Sequence, residues 1–240
     1  MSVILPLMTD AQAEGWSAIL DLHDVHPTGW TLVGGQMVHL HCAERDAAPS
    51  RPTDDLDTVL DVRAEPNALL TFTTALSEMG FAPEGETWNG HHHRWVRGAA
   101  AIDVLIPRNL GARAARRKGI SGGTAVETPG AQQALDRTQD VAVTLSDRHG
   151  VVRRPNLLGA LVAKAAAHTV TLDRARQRHR ADFVVLSTLI GPSDNVDLAG
   201  KRDRRYLTSM IGAVESDKRT MLVVEGARDG TDVLRELLGV

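Results

Sequence analysis

At 240 residues the chain is long enough for one large domain or two small ones, and 42% hydrophobic with 24% charged residues is an ordinary globular balance. A net charge of −3 excludes the global signature of a nucleic-acid binder, and 3% aromatics argues against a stacking platform for single strands. Cys42 is the only cysteine, so an intrachain disulfide is excluded and a reducing cytoplasm is expected.

In chain order, Thr9 or Asp10 can cap an amphipathic helix over residues 9–23, with Ala13, Trp16, Ile19 and Leu20 at helical spacing. No basic n-region precedes it, and no run approaches the roughly 18 apolar residues of a membrane span. "GWTLVGGQMVHLHCAER" reads as a strand from Trp30 to Val33, a Gly34–Gly35 turn and a helix from about Gln36 to Glu44. A Pro- and Ser-containing loop leads to "RPTDDLDTVLDV", a strand with Leu56, Val59, Leu60 and Val62. A helix with a Gly80 stop follows, then a hairpin with strands His92–Arg97 and Ala101–Ile106. A second strand pair turns at Asp147–Gly150. After Pro155 the pattern is helical: "NLLGALVAKAAAH", "RARQRHRADFVVLSTLI" and two helices near 203–217 and 229–239. The chain thus divides into a mixed α/β half, 1–155, and a helical half, 156–240.

Four aspartates crowd the strand at 54–61. Side chains alternate faces along a strand, so Asp55, Asp57 and Asp61 share one face and Leu56 and Leu60 take the other. Same-face neighbours lie roughly 6.5–7 Å apart, which lets two carboxylates converge on a cation. Like charges held that close need something positive between them, and Mg²⁺ takes one or two carboxylates plus substrate phosphates. A solvated edge strand with scattered acids is the plain alternative. Two features weigh against it. Gly34 and Gly35 open a helix, where free N–H groups suit a phosphate. Asp103 stands between Ile102 and Val104 in an otherwise apolar strand, where a carboxylate needs a partner.

Gly-Gly, then Asp-x-Asp, then a lone Asp on a later strand resembles the nucleotidyltransferase superfamily of the polymerase-β type. "RPTDDLD" is similar to the Arg-x-Thr-x-Asp-hydrophobic-Asp form of AbiEii-like and MenT-like nucleotidyltransferases, the toxins of bacterial toxin–antitoxin pairs. Their second half carries a Lys on one helix and an Asp on the next, matched here by Lys164 and Asp182. The resemblance implies an α+β fold: a mixed sheet flanked by helices, followed by a helical C-terminal domain. It implies Mg²⁺ on Asp55, Asp57 and Asp103, with Asp103 also deprotonating the attacking hydroxyl. A nucleoside triphosphate would bind at Gly34, Gly35, Arg51 and Lys164, with Asp182 joining the catalytic set. The acceptor would be RNA, such as a tRNA 3′ end, and the partner an antitoxin. The spacing from Gly35 to Asp55 is longer than the minimal superfamily pattern, and the tail after about 195 matches nothing in it.

Two other readings stay open: the same transfer to a small molecule such as an aminoglycoside, and a non-catalytic binding module that kept the fold. Arg113, Arg116, Arg117 and Lys118 could guide a phosphate backbone toward the metals, or form a solvated helix. The stretches 173–182 and 201–206 are also basic. His91, His92 and His93 read as the solvated start of a hairpin rather than a zinc site, because consecutive strand residues face opposite ways. Trp30 and Trp95 read as core.

Overall fold

The computed structural model describes residues 2–6, 9–85, 90–171, 173 and 176–240. Arg174, part of the basic 173–182 stretch, lies outside the described residues. The elements are β1 (Val3–Ile4), α1 (Asp10–Val25), β2 (Trp30–Val33), α2 (Gly34–Ala43), β3 (Leu56–Leu60), α3 (Ala68–Glu78), β4 (Ala82–Pro83) and β5 (Arg94–Arg97). Then come β6 (Ala100–Pro107), α4 (Ala112–Ala115), β7 (Val126–Thr128), α5 (Ala131–Leu135), β8 (Thr138–Leu145) and β9 (Arg148–Pro155). The helices α6 (Leu157–Ala167), α7 (Arg176–Thr188), α8 (Lys201–Glu215), α9 (Lys218–Val223) and α10 (Ala227–Leu238) complete the chain.

The central sheet runs β2-β3-β6-β5-β4, with β7 beside β6 where β5 ends. β3 and β6 are parallel, and β2 and β5 are antiparallel to their neighbours. Parity divides this sheet cleanly. Leu56, Leu60, Ile102, Val104 and Ile106 point into the main core, which also takes Trp16, Ile19 and Leu20 of α1 and Leu69, Phe72 and Leu76 of α3. The opposite face carries Val33, Val59 and Leu105, which pack under Ala131 and Ala134 of α5. Trp30 and Trp95 are both buried in the main core. β1, β8 and β9 form a separate three-stranded sheet, and β9 packs against β2 and α1.

Local chemistry explains the element ends. Thr9 caps α1 in a reciprocal capping box with Gln12: the Thr9 hydroxyl accepts from the Gln12 N–H at 3.2 Å, and Gln12 Oε1 accepts from the Thr9 N–H at 3.3 Å. Asn156 caps α6 by accepting from the Gly159 N–H at 2.9 Å. Several boundaries differ from the sequence expectation, and one helix is added. α2 begins on Gly34 itself, two residues before the expected start. The first hairpin strand begins at Arg94 rather than His92. The β8–β9 turn is shorter, at Ser146–Asp147, because Ser146 adopts a positive φ of 55°. A third helix, α9, stands between the two expected at the C-terminal end, capped by Asp217.

The helices after residue 156 feed Leu161, Phe183, Leu186, Leu207 and Leu234 into the same apolar cluster as the sheet. Ion pairs reinforce the contact: Arg137 to Asp203 at 2.7 Å and Arg45 to Asp194 at 2.8 Å. Among the described residues, no helix is long and apolar enough to cross a membrane.

Candidate active site

A cleft of about 320 Å³ opens over the polar face of the sheet, between β3, β5 and β6 on its floor and α6 and α7 on its far wall. The register of three strands builds its floor. Asp57 on β3 stands directly opposite Asp103 on β6, and Asp103 stands directly opposite Arg94 on β5. Asp55, two residues before Asp57, reaches the same cleft from the lead-in to β3. Strand parity puts Asp55 and Asp57 on one face, and the β3–β6 register brings Asp103 beside them. Asp54 is exposed and accepts from the Thr9 hydroxyl at 2.9 Å. Asp61 accepts from the Arg63 and Ala64 N–H groups and shapes the turn after β3.

Asp55 is fixed through the segment before it. Gln12 and Gln36 both donate to the Thr53 carbonyl, at 2.5 and 2.6 Å, and His39 Nε2 lies 2.9 Å from the Arg51 carbonyl. The Thr53 hydroxyl then donates to Asp55 Oδ1 at 2.8 Å. Burial pushes the Asp55 carboxyl up, but the Thr53 hydrogen bond and the Arg94 charge outweigh it and hold it below the usual range. Asp57 differs. Burial, then the charges of Asp103 and Asp55, push it up to about 7. Nothing among the described residues hydrogen-bonds to its side chain.

Above Asp57 sits the start of α2. Val33 is its N-cap and provides no side-chain cap, so first-turn N–H groups stay available at the cleft. Gly34 has φ +72°, and a Cβ there would lie 1.7 Å from Asp57 Oδ2. Only glycine lets the helix start this close to the carboxylate. Gly34→Ala is expected to cost about 1–2 kcal/mol from the backbone alone, and to displace Asp57. Paired thermal melts and activity assays check this, and a variant matching wild type in both would show that the close approach is dispensable.

Lys164 on α6, Asp182 on α7 and Arg51 form a second charged group. Asp182 accepts from Lys164 Nζ at 2.7 Å and from Arg51 Nε and Nη2 at 3.0 and 2.9 Å. Lys164 and Asp182 are each only 3% exposed. Burial raises the Asp182 carboxyl, but Lys164 and Arg51 outweigh it and hold it below the usual range. Lys164 and Arg51 line the cleft, whereas Asp182 stands behind them. An ammonium has three N–H donors, so Lys164 can hold Asp182 and still donate to a ligand.

Four cleft residues were not singled out from the sequence, although Arg178 and His179 lie in the basic 173–182 stretch. Arg94 is the most consequential. Its Nε and Nη2 donate to the two oxygens of Asp103 at 2.8 and 2.9 Å, and Nη2 also donates to Asp55 Oδ2 at 3.0 Å. The basic character of "HHHRW" gave no sign that its arginine, rather than its histidines, would face the aspartates. Arg108 and Arg178 are exposed at the cleft. His179 Nε2 lies 2.8 Å from Asp173 Oδ2, and burial and then the Lys164 charge push the ring down to about 4. By contrast, Arg113, Arg116, Arg117 and Lys118 do not line the cleft; they occupy α4 and the segment after it. His91 and His92 pair separately with the Thr124 and Ser121 hydroxyls, each at 2.8 Å.

Among the described residues, no group of three or more His, Cys, Asp or Glu side chains is arranged to hold a metal ion. Both oxygens of Asp103 are engaged by Arg94. Asp55 and Asp57 remain a fitting pair for Mg²⁺, which typically takes one or two carboxylates and completes its shell with phosphate oxygens and water. The unpartnered Asp57 is the clearest sign of fit, since a cation there would relieve its crowding by like charge.

No family model matches the sequence, and no curated protein matches it. The architecture does have solved counterparts. An antigenic nucleotidyltransferase-like protein from Paracoccidioides brasiliensis superposes with a TM-score of 0.55 at 14% identity, covering 91% of this chain and 95% of the other. The chain has a nucleotidyltransferase-like fold. A looser match, TM-score 0.45 at 13% identity, is the antibiotic-resistance factor ANT(2'')-Ia, covering 88% of this chain and 97% of that one. In this fold, the β3–β6 pairing sets the carboxylates and the α2 start sits over them.

Proposed function

We propose that this chain is a magnesium-dependent nucleotidyltransferase that moves a nucleoside monophosphate from a triphosphate to a hydroxyl of RNA, such as a tRNA 3′ end. We read its role as the toxin of a toxin–antitoxin pair. The observation that carries the reaction is the register of Asp57 against Asp103, with Asp55 alongside and the uncapped start of α2 directly above. The toxin role rests on the likeness of the Arg51–Asp57 segment alone.

In this reading the N–H groups at the start of α2 and the free donors of Lys164 and Arg51 hold the triphosphate. Bound Mg²⁺ would neutralise charge on the attacking and leaving oxygens. The acceptor oxygen bonds to the α-phosphorus, the α–β phosphoanhydride bond breaks, and pyrophosphate leaves. Asp103 takes the hydroxyl proton on a lone pair that Arg94 leaves free. An RNA acceptor is supported by Arg108 and Arg178 at the cleft and by exposed Arg113, Arg116 and Lys118 on the segment that follows β6.

The test is incubation with total tRNA and each α-labelled triphosphate in turn. Label should enter RNA from at least one triphosphate, in a metal-dependent manner. Charge reversal at Arg113, Arg116 and Arg117 should reduce incorporation, with the deficit greatest at low salt and shrinking as salt rises. No transfer from any triphosphate to RNA would reject the RNA acceptor, and unchanged incorporation by the reversed variant would remove that segment from the RNA path.

A further inference from the structure

Arg94 does not fit a site built only to receive metal ions. It stands directly across the β5–β6 ladder from Asp103, so the backbone register holds the pair face to face. The guanidinium meets the carboxylate with two parallel hydrogen bonds, the geometry in which arginine binds a carboxylate most firmly. The Nη2 of the same fork reaches Asp55 Oδ2 at 3.0 Å. One fixed cation therefore bridges the first and third carboxylates of the cluster. The Asp103 hydrogen bond holds the guanidinium charged more firmly than usual. Asp57, between them in the row, has no such partner.

From this geometry we infer that Arg94 takes the place of one of the two cations expected of a paired-metal transferase. The site then holds a single divalent ion, on Asp55 and Asp57. This inference rests on the nucleotidyltransferase reading above. The charge balance supports it: three carboxylates are neutralised by one guanidinium and one divalent ion. The ligand count agrees, since Asp57 and Asp55 are the two carboxylates a magnesium ion needs beside phosphate and water. A second ion on Asp103 would have to sit beside the guanidinium charge that the strand register holds against that carboxylate. Arg94 is thus a positioning residue that keeps Asp103 in place and supplies fixed positive charge beside the reacting phosphate.

The test counts Mn²⁺ bound per chain in the presence of a non-hydrolysable triphosphate analogue, by equilibrium dialysis and electron paramagnetic resonance. Wild type should bind one ion with an isolated-ion spectrum. Arg94→Met, checked for folding by circular dichroism, should bind two ions with an exchange-coupled spectrum. Arg94→Lys, which keeps the positive charge, should return the count toward one. Two coupled ions in wild type would overturn the inference while leaving the transferase reading intact. An unchanged count and affinity in Arg94→Met would also overturn it, because Arg94 would not be what excludes the second ion. Failure of wild type to bind any Mn²⁺ would instead remove the metal-dependent reading, and this inference with it.

Discussion

Asp57→Asn is expected to abolish nucleotide transfer and yet to raise the melting temperature of the metal-free protein above pH 7. The Asp57 carboxyl is pushed up to about 7 in the folded chain by burial and by Asp103 and Asp55. In the unfolded chain it loses its proton near the usual value of 3.8. Between those two values the folded state binds more protons than the unfolded one, so stability falls as pH rises through this window. Below it there is no penalty, and above it the penalty is complete. Asparagine never ionises and escapes the cost. A shift of this size has an upper bound near 4 kcal/mol; contact with cleft water reduces this to an expected gain on the order of 1–3 kcal/mol. For a chain of this length that is several degrees in Tm. Melts of wild type and variant in a chelator at pH 5 and pH 8 check it. The gain should be larger at pH 8. A gain that is equal at both pH values, or absent, would show that Asp57 is not held against its charge. Transfer should fall by at least a thousandfold, because the amide cannot replace a carboxylate toward a hard cation.

This pairing of lost activity with gained stability reflects how much of the site was legible in the sequence. Strand parity alone separated Asp55 and Asp57 from Leu56 and Leu60, and the β3 register obeys it. The odd carboxylate in an apolar strand, Asp103, was found because burial of an unpaired charge is costly. Local signals of this kind reach only along one strand. Arg94 was not legible, because its meaning arises from a register across β5 and β6 that no local pattern encodes. The same limit explains Asp182. The resemblance placed it in the catalytic set, and the packing of α6 on α7 buries it behind Lys164. The basic 113–118 segment shows a related limit. Charge density in sequence marks basic runs but not which of their cations reach the cleft: Arg108 and Arg178 line it, and Arg113, Arg116, Arg117 and Lys118 do not.

Asp182→Ala should be among the most destabilising single changes in the chain. The carboxylate accepts from one lysine and twice from one arginine, and both it and Lys164 are almost fully buried. Removing it leaves an uncompensated, almost fully buried ammonium between α6 and α7, which typically costs about 3–5 kcal/mol. That corresponds to a drop in Tm on the order of 10 °C for a chain of this size. The cost comes from the stranded charge rather than from lost attraction, and this distinction can be measured. Lys164→Met with Asp182→Leu removes both charges and fills the space, so it should recover most of the lost stability. Transfer should not recover with it, because the triphosphate loses the lysine and Arg51 loses its anchor. The KM for the triphosphate should rise in both variants. If Asp182→Ala melts with wild type, the buried triad is not what holds α6 on α7. If the double variant is as unstable as the single one, the penalty lies in packing and the stranded-charge account fails.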